Sequence, residues 1–314
     1  MAASPLMRSV PEPSGVALLN PAADGGRAAE LRRPVEAWLA RNAPGVALLT
    51  PQSVDQAQAM LLILAPRTRV ALLGGDGSLH QLLPALMRCG HRVGLVPVGT
   101  GNDVARALGV RDLPWEEALD LALHAGTRPV DIGQVETSGP AGNDARCFVS
   151  SLTVGFDARV AHRALEAPRW LRGRNRYLWA TARAWARLAP VDMRIWADNR
   201  LVQEGPTLLA SALNTPTYGS GIPAAPEARI DDHWLDLLLG GDIGRWRALP
   251  LMMSMLRGRH TRAPRVALYS ARKLLIEAAE PLEVAADGEP LPPATRVTVH
   301  LLPKALHMVF AEPQ

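Results

Sequence analysis

Two short glycine-rich segments have the residue types and spacing to bind phosphate groups. The first is Gly-Gly-Asp-Gly-Ser at 74–78, and the second is Pro-Val-Gly-Thr-Gly-Asn-Asp at 97–103. Each follows an apolar run and precedes a helix-like one. Glycines let backbone N–H groups approach an anion closely, and the N-terminus of a helix adds positive potential. Both segments are therefore predicted to be phosphate loops, with a plain strand-to-helix turn as the alternative for each.

Polar side chains in and beside these loops could add specific contacts. Asp76 would be out of place beside a polyphosphate unless it faces a metal-ion shell or clamps the loop. Thr100 offers a hydroxyl and a backbone N–H to phosphate, whereas Asn102 could equally cap the next helix. A third strand-end loop begins at Asn20-Pro21 and belongs to the same predicted sheet edge. Three loops that converge on one edge favour a phosphate site over three unrelated turns.

An acidic turn near the other end of the chain could supply a proton acceptor. Asp287-Gly288-Glu289 directly follows the strand-like segment Leu-Glu-Val-Ala-Ala at 282–286. A carboxylate at the end of a strand could take the proton of an attacking hydroxyl group. Asp-Gly is also a favoured pair in the type I′ turn of a two-residue hairpin. Both interpretations stay open on the residues alone.

The elements that must position these loops differ between the two parts of the chain. In the first third, short apolar runs at 16–19, 46–49, 70–73 and 93–96 alternate with segments of helical periodicity. This alternation predicts a parallel α/β sheet with right-handed crossovers. In such sheets, ligands bind at the loops that leave the carboxyl ends of the strands.

After about residue 130 the pattern becomes one of strand candidates separated by turn residues. These candidates are 147–154, 193–196, 208–213, 235–239, 274–276, 282–284 and 297–302. They predict a larger C-terminal antiparallel β-sandwich or barrel-like domain. The predicted organisation is therefore α/β plus all-β.

The domain bounds follow from this change of pattern. We expect a flexible N-terminus over 1–14, an α/β nucleotide-binding domain over 15–137 and a β-rich domain over 138–314. The last segment of the second domain is expected to pack back on the first domain.

The composition is typical of a protein that folds around an apolar core and needs no disulfide bonds or bound metal to do so. The chain has 314 residues, 48% hydrophobic and 20% charged, and its two cysteines have no C-x-x-C spacing. These features argue against a disulfide scaffold, a zinc ribbon and an iron–sulfur cluster, and suit a reducing cytosol. No apolar run approaches the ~20 residues of a membrane helix, and no signal peptide is expected. We therefore expect a cytoplasmic protein.

Counting lysines excludes two classes of phosphotransferase. The chain has only Lys273 and Lys304, and neither lies in a glycine-rich loop. A Walker A site and a protein kinase both need a lysine over the phosphates. The second loop also departs from the dinucleotide fingerprint G-x-G-x-x-G, because Val104 stands where a small residue is needed. A Rossmann dehydrogenase is therefore disfavoured.

Positive charge is concentrated in two segments, here called the Arg-rich stretches. Residues 159–187 carry +7 and residues 245–265 carry +6, against a net charge of +4 for the chain. Tryptophans and methionines are interleaved with these arginines. Such a mixture suits an anionic membrane surface, where each basic residue contributes about 1 kcal/mol. A solvated face with the large apolar side chains packed inward is the alternative. Nucleic acid is not expected, because no nucleic-acid-binding motif accompanies the charge.

The loop motifs resemble the diacylglycerol kinase catalytic-domain family, above all the soluble bacterial lipid kinases. The resemblance rests on Gly-Gly-Asp-Gly-Ser-Leu at 74–79 and the run from Gly94 to Arg106, and it covers roughly residues 15 to 310. It implies an ATP site between the two domains and transfer of the γ-phosphoryl group to a lipid hydroxyl. The implied ATP contacts are Asn20, Pro21, Thr50, Gly74, Gly75, Asp76, Gly77, Ser78, Thr100 and Asn102.

The resemblance also implies roles for acids in the second domain. Asp287 takes the place of the general base, with Glu289 as the second choice. A structural magnesium ion would be bound by the Asp232 carboxylate and the backbone carbonyls of Arg229 and Trp234. The chain departs from the family where His233 replaces a glycine and where His80-Gln81 replaces Asn-Glu.

Two other functions stay open from the sequence. An NAD kinase shares the Gly-Gly-Asp-Gly loop but would phosphorylate a ribose hydroxyl. A catalytically inactive lipid- or nucleotide-binding regulator is suggested by the departures at positions 80, 81 and 233. The sequence does not name the lipid acceptor, and it is compatible with a homodimer.

Overall fold

The computed structural model describes residues 15–99, 101–168, 170–171 and 173–311, without the side chains of residues 173 and 174. The predicted N-terminal segment 1–14 and Thr100 lie outside the described residues.

The first part of the chain is a four-stranded parallel sheet whose strands run in the order β4-β3-β1-β2. The strands are β1 (Gly15–Leu19), β2 (Val46–Leu49), β3 (Arg69–Gly74) and β4 (Arg92–Pro97). The central strands β1 and β3 are buried along nearly their whole length, which is why they are continuous apolar runs. The predicted parallel sheet is confirmed by the pairing of these strands.

Helices cover both faces of this sheet. They are α1 (Arg32–Asn42), α2 (Val54–Ile63), α3 (Asp76–Cys89), α4 (Asp103–Ala107) and α5 (Trp115–His124), with a 3-10 segment over Ala23–Leu31. The leucines of α3 pack with α2 on one face of the sheet. Helices α1 and α5 pack on the other face. Helix α3 ends where Gly90 takes the left-handed conformation, a common helix stop.

The second part of the chain is built mainly of antiparallel strands. They are β5 (Thr127–Gly139), β6 (Gly142–Phe148), β7 (Ser151–Gly155), β8 (Val191–Ala197), β9 (Arg200–Thr207), β10 (Leu209–Leu213), β11 (Leu235–Gly240), β12 (Val266–Ala271), β13 (Lys273–Ala286) and β14 (Glu289–Val309). Three helices accompany them: α6 (Phe156–Leu165), α7 (Gly173–Trp185) and α8 (Arg245–Met255). The predicted β-rich second domain is confirmed.

Strand β14 joins the two parts into one sheet. It pairs antiparallel with β13 and β5, and near its end it pairs parallel with β4 through His307 and Met308. The C-terminal segment thus lies against the first domain. The boundary predicted at residue 137 falls inside β5, which pairs with β14 along most of its length.

The strand predicted over 147–154 is wrong as a single element. Strand β6 ends at Phe148 and β7 begins at Ser151. The chain bends between them because the N–H groups of Val149, Ser150 and Ser151 turn toward the carboxylate of Asp287. The hydrogen-bond acceptor that interrupts the strand is a side chain more than 130 residues away in sequence.

Candidate active site

A cavity of about 950 Å³ opens between the carboxyl edge of the parallel sheet and the second domain. One end is polar and includes the first glycine loop and the Asp287-Gly288-Glu289 turn. The other end is apolar and is formed by α6, α7 and α8. The predicted site residues that line it are Asn20, Gly75, Asp76, Gly77, Ser78, Asn102, Asp287 and Glu289.

The first glycine loop is tied to the end of β1. The side-chain amide of Asn20 donates to the hydroxyl oxygen of Ser78 at 2.7 Å. A Cβ atom at position 74 would lie 2.6 Å from that same hydroxyl oxygen. Glycine is needed at position 74 because a larger residue would displace Ser78 from Asn20. The loop leaves the N-terminus of α3 facing the cavity, and such a helix start favours anions.

Asp76 clamps the two loops to each other. Its carboxylate oxygens accept the backbone N–H groups of Asp103 at 2.6 Å and Val104 at 3.1 Å, at the start of α4. Burial and the nearby negative charge of Asp103 raise the pKa of Asp76 to about 7, although the two N–H groups oppose the shift. Of the two roles predicted for Asp76, the loop clamp is the one that these contacts support.

Asp103 continues this connection into the second domain. Its carboxylate accepts the hydroxyl of Thr217 at 2.6 Å and the backbone N–H groups of Ser220 at 3.0 Å and Gly221 at 2.9 Å. Burial raises the pKa of Asp103 despite these bonds. The first glycine loop is thereby coupled through two carboxylates to the loop 217–221 on the opposite wall of the cavity.

Asn102 lies beneath the first loop with a free acceptor. It takes the left-handed conformation at φ +52°, and its side-chain amide donates to the carbonyl of Gly99 at 2.9 Å. Its buried Oδ1 atom has no hydrogen-bond partner among the described residues. This atom lies against the first loop, 3.1 Å from where a Cβ atom at Gly75 would be.

Asp287 is a turn residue whose side chain lines the cavity. Asp287 at φ +49° and Gly288 at φ +82° form the two-residue turn between β13 and β14. The Asp287 carboxylate accepts N–H groups from Val149 at 2.9 Å, Ser150 at 2.7 Å and Ser151 at 3.0 Å. Hairpin geometry thus presents a carboxylate to the cavity and fixes it with backbone donors.

Helix α3 reaches this carboxylate directly. Nδ1 of His80 lies 2.9 Å from Oδ2 of Asp287. His80 is one turn along α3 from Asp76, so the helix that begins at the glycine loop also contacts the proposed base. The two loops and the acidic turn are therefore brought to one place, as their positions on the predicted sheet edge suggested for the loops alone.

Other expected contacts lie outside the cavity lining. Pro21 and Gly74 flank the lining residues but do not themselves line the cavity. Thr50 follows β2, the edge strand of the parallel sheet, and is also absent from the lining. The distance of β2 from the cavity, with β1 between them, is the physical reason for this difference.

In the loop expected to bind a structural magnesium, a histidine stands at a left-handed position. His233 takes the left-handed conformation at φ +70° that the family's glycine would favour. Its N–H and imidazole both bond to the buried carboxylate of Asp131, at 2.7 Å and 3.0 Å, which stabilises that conformation. In the same loop, Asp232 accepts the N–H of Trp234 at 3.0 Å.

No three His, Cys, Asp or Glu side chains are grouped to hold a metal ion within the described part of the chain. A cation in the 229–234 loop would therefore depend on one carboxylate and on backbone carbonyls, which are ligands that magnesium accepts.

Comparison with known proteins assigns the chain to a family. Residues 14–135 match the diacylglycerol kinase catalytic domain, and residues 150–310 match the YegS C-terminal NAD kinase beta sandwich-like domain. The chain belongs to the lipid kinases with a diacylglycerol kinase catalytic domain. The resemblance found in the sequence is thus confirmed.

Several relatives cover most of this lipid kinase. A Mycobacterium tuberculosis protein named diacylglycerol kinase is 28% identical over 298 residues, which are 93% of this chain and 94% of the relative. A Pseudomonas aeruginosa protein named "Probable lipid kinase YegS-like" is 32% identical over 69% of this chain and 68% of the relative.

Solved structures show how widely the fold is shared. A diacylglycerol kinase from Bacillus anthracis aligns with a TM-score of 0.70 at 19% identity, over 95% of this chain and 97% of that one. Yeast NADH kinase in complex with NADH aligns with a TM-score of 0.52 at 11% identity, over 95% and 83% of the two chains. The fold is common to lipid kinases and NADH kinases and does not by itself choose between their acceptors.

Sequence reasoning missed the second-domain side chains that complete the cavity of this lipid kinase. Arg176 on α7 is the single Arg, Lys or His side chain in the described lining, which also carries six acids. Tyr177 is the next residue, and its hydroxyl would lie 3.1 Å from a Cβ atom at Gly288. The Arg-rich character of 159–187 gave no signal that distinguished Arg176 from its neighbours.

Some large apolar side chains of the Arg-rich stretches are packed inward, and others are exposed to solvent. Trp179 and Trp185 pack against a buried cluster formed by α6 to α8. Trp170 and Trp246 are instead 78% and 83% exposed. Exposed Leu249 and Met253 lie on the same face of α8 as Trp246 and also line the cavity mouth. The inward packing expected under the alternative thus holds for part of these side chains, and the others are exposed.

Helices of the described residues are all too short or too polar to cross a membrane.

Proposed function

We propose that this lipid kinase transfers the γ-phosphoryl group of ATP to a hydroxyl of a diacylglycerol-like lipid, with Asp287 as the general base. The observation that carries the proposal is the 2.9 Å contact between His80 of α3 and Asp287. This contact links α3, which begins at the first glycine loop, to a carboxylate that three backbone N–H groups hold in place. Phosphoryl transfer needs those two features side by side.

We expect the ATP phosphates to bind at the start of α3. Gly75, Gly77 and Ser78 line the cavity there, and helix N-termini favour phosphate. Asn20 orients the Ser78 hydroxyl, and Asn102 lines the cavity beside it as a further proposed nucleotide contact. Thr100 is proposed as a further phosphate contact on the strength of the family motif. No cavity contact supports Pro21 or Thr50.

The excess of acidic side chains in the cavity lining suits a nucleotide that binds as its magnesium complex. Six acids and one arginine repel a free triphosphate, whereas oxygen-rich acidic sites suit magnesium. Asp76 would hold the ion through water, because both of its carboxylate oxygens already accept backbone N–H groups. Bound magnesium would neutralise negative charge on the phosphates. A second, structural magnesium is proposed for the loop of Arg229, Asp232 and Trp234.

Asp287 is proposed to accept the proton of the lipid hydroxyl. The turn holds it at the cavity wall, and its side chain is only 2% exposed, so bulk water does not compete for it. The hydroxyl oxygen bonds to the γ-phosphorus while the bond from that phosphorus to the bridging oxygen of ADP breaks. Glu289 lines the same wall two residues later and is the second choice for this role.

The apolar end of the cavity suits the chains of a lipid. It is formed by Phe156, Val160, Leu165, Leu178, Leu249, Met252, Met253, Met255 and Leu256. Methionine side chains adapt to flexible apolar ligands. A nicotinamide dinucleotide would leave this apolar end unfilled, and this favours a lipid over NAD as the acceptor.

Peripheral membrane association is proposed through the surface around the cavity mouth, formed by Leu165, Trp170, Leu178, Trp246, Leu249 and Met253. Arginines of both Arg-rich stretches flank this mouth surface, including exposed Arg247 and Arg257. Tryptophan and arginine together favour the interface of an anionic membrane. Docking there would bring the cavity mouth to the layer in which the acceptor lies.

An acceptor panel tests the proposal. The full chain is incubated with γ-labelled ATP and magnesium, and with vesicles containing diacylglycerol, phosphatidylglycerol or a sphingoid base, or with NAD. We expect label in one or more lipids and none in NADP. Label in NADP alone would establish an NAD kinase. Nucleotide binding without transfer to any acceptor would establish an inactive regulator.

A further inference from the structure

His80 lies beside the proposed base but outside the lining of the cavity. It is the fifth residue of α3, and it lies 207 positions from Asp287 in sequence. The two side chains are 12% and 2% exposed, so their contact is shielded from bulk water. This pair, here called the His80–Asp287 pair, is a side-chain link between the glycine-loop helix and the β13–β14 hairpin.

The carboxylate of Asp287 has no unused position once His80 donates to it. Oδ1 accepts the N–H groups of Ser150 and Ser151, and Oδ2 accepts that of Val149 and faces Nδ1 of His80. A carboxylate offers about four lone-pair positions. Three of the four donors are backbone groups that never change their protonation. His80 is the one donor whose charge changes near neutral pH.

We propose that His80 is a positioning residue that sets the readiness of Asp287 to accept the substrate proton. The proposal rests on the proposed function and adds to it a control of the same site by pH. Charged His80 forms an ion pair with Asp287 and holds the position at Oδ2 that the substrate hydroxyl needs. When His80 loses its charge, its weaker hydrogen bond to Oδ2 can give way to that hydroxyl, and the hydroxyl can then pass its proton to Asp287. Transfer therefore speeds up as pH rises through the titration of His80.

The surroundings of the pair decide the direction in which the pKa of His80 shifts. Burial lowers the pKa of His80, but the hydrogen bond to Asp287 and the charges of Asp287 and Glu289 outweigh it, so that the pKa rises. Arg146 opposes the rise. Titratable or charged groups near the pair are Asp76 on α3, Arg146 and Cys147 on β6, and Glu289 on β14.

The pair can be tested without any enzymatic activity. The imidazole of His80 is followed by NMR in the full chain, and its signal is identified by its absence in H80N. We expect D287N to lower the pKa of His80 measurably, since it removes the partner charge. An unchanged His80 pKa in D287N would overturn the proposal, because the pair would then not exist in solution.

Kinetics test the control itself. In H80N the amide can still donate to Asp287 but has no charge, so its kcat should lose the rise with pH that wild type shows as His80 titrates. H80L should lose at least about 10-fold in kcat, with KM for ATP nearly unchanged. H124N, which changes an exposed histidine on α5, is the matched control and should keep the wild-type profile.

Different results would overturn the role of His80 and the proposed kinase function. A wild-type pH profile in H80N, together with normal phosphate transfer, would overturn the role of His80 and leave the kinase intact. Wild-type protein that transfers no phosphate at any pH would overturn the proposed function, while the NMR titration would still decide whether the pair forms.

Discussion

The carboxylate of Asp76 accepts the backbone N–H of Asp103 at 2.6 Å, and the carboxylate of Asp103 in turn accepts three donors from the loop 217–221. Asp76 and Asp103 thus connect the glycine loop to the second domain through successive hydrogen bonds. Their arrangement fixes the width of the cavity at its polar end. It also places two carboxylates close together, so that the negative charge of Asp103 opposes ionisation of Asp76.

Stability should fall as Asp76 ionises. Its folded pKa of about 7 exceeds the value of 3.8 expected in the unfolded chain, because burial and Asp103 disfavour the charge. Between these values the folded state binds the extra proton, so the free energy of unfolding decreases as pH rises. Above about pH 7 the loss is complete. From pH 5 to pH 8 we expect about 1–3 kcal/mol from this group.

Urea unfolding of D76N and wild type checks this value in the absence of magnesium and nucleotide. D76N cannot ionise, so its free energy of unfolding should fall less over the same pH range. It will also be less stable at pH 5, since its amide group opposes a backbone N–H. D120N, which changes an exposed acid on α5, should follow wild type. Equal pH slopes for D76N and wild type would refute the assigned shift.

Arg176 should contribute to nucleotide affinity. It is the single cation in the described lining, and a charge-assisted hydrogen bond to phosphate contributes about 1.5–3 kcal/mol. R176Q should therefore weaken ATP binding about 10-fold or more, as measured by calorimetry. R183Q, two turns along α7 on an exposed face, should bind ATP like wild type. Wild-type affinity in R176Q would show that Arg176 does not face the phosphates.

The mouth surface should control binding to vesicles but not the chemistry. Trp246 and Leu249 are 83% and 53% exposed, so removing them changes little in the core. W246S/L249S should bind anionic vesicles at least about 10-fold more weakly, and binding by wild type should decrease with salt. I63S is the matched control, because Ile63 is 84% exposed on α2, far from the mouth.

A short-chain, water-soluble acceptor separates docking from catalysis. W246S/L249S should phosphorylate it at the wild-type rate. Sedimentation of both proteins with vesicles of neutral and anionic composition gives the binding curves. Salt-independent binding, or equal binding by the variant and wild type, would argue against this surface.

Much of the scaffold was predictable because most of its parallel strands are buried on both faces. The apolar runs at 16–19, 70–73 and 93–96 became strands in which burial requires continuous apolar sequence, and the run at 46–49 became the partly exposed edge strand β2. The place of the glycine loops at the sheet edge followed from their position after such strands. Asp287 was singled out through the family motif, and its prediction as a turn residue is confirmed.

The remaining features depend on contacts between distant segments. Nothing local to His80 indicates that it meets Asp287, since the pairing arises from the way α3 packs against a hairpin 207 positions away. The bend at 149–150 has the same origin. Thr50 was expected from resemblance alone, and the position of β2 at the sheet edge separates it from the cavity. The outward Trp246 and inward Trp185 lie in equally basic sequence, so only packing distinguishes them.

Phosphate transfer by D287N is the most direct test of the account. D287N removes the proposed base, whereas D198N changes another turn aspartate, at φ +45°, that accepts two backbone N–H groups away from the cavity. With labelled ATP and the lipid acceptor that wild type uses, D287N should lose at least about 100-fold in kcat while circular dichroism shows it folded. D198N should transfer phosphate like wild type. A folded D287N protein with near-normal turnover would contradict the assignment of Asp287 as the base.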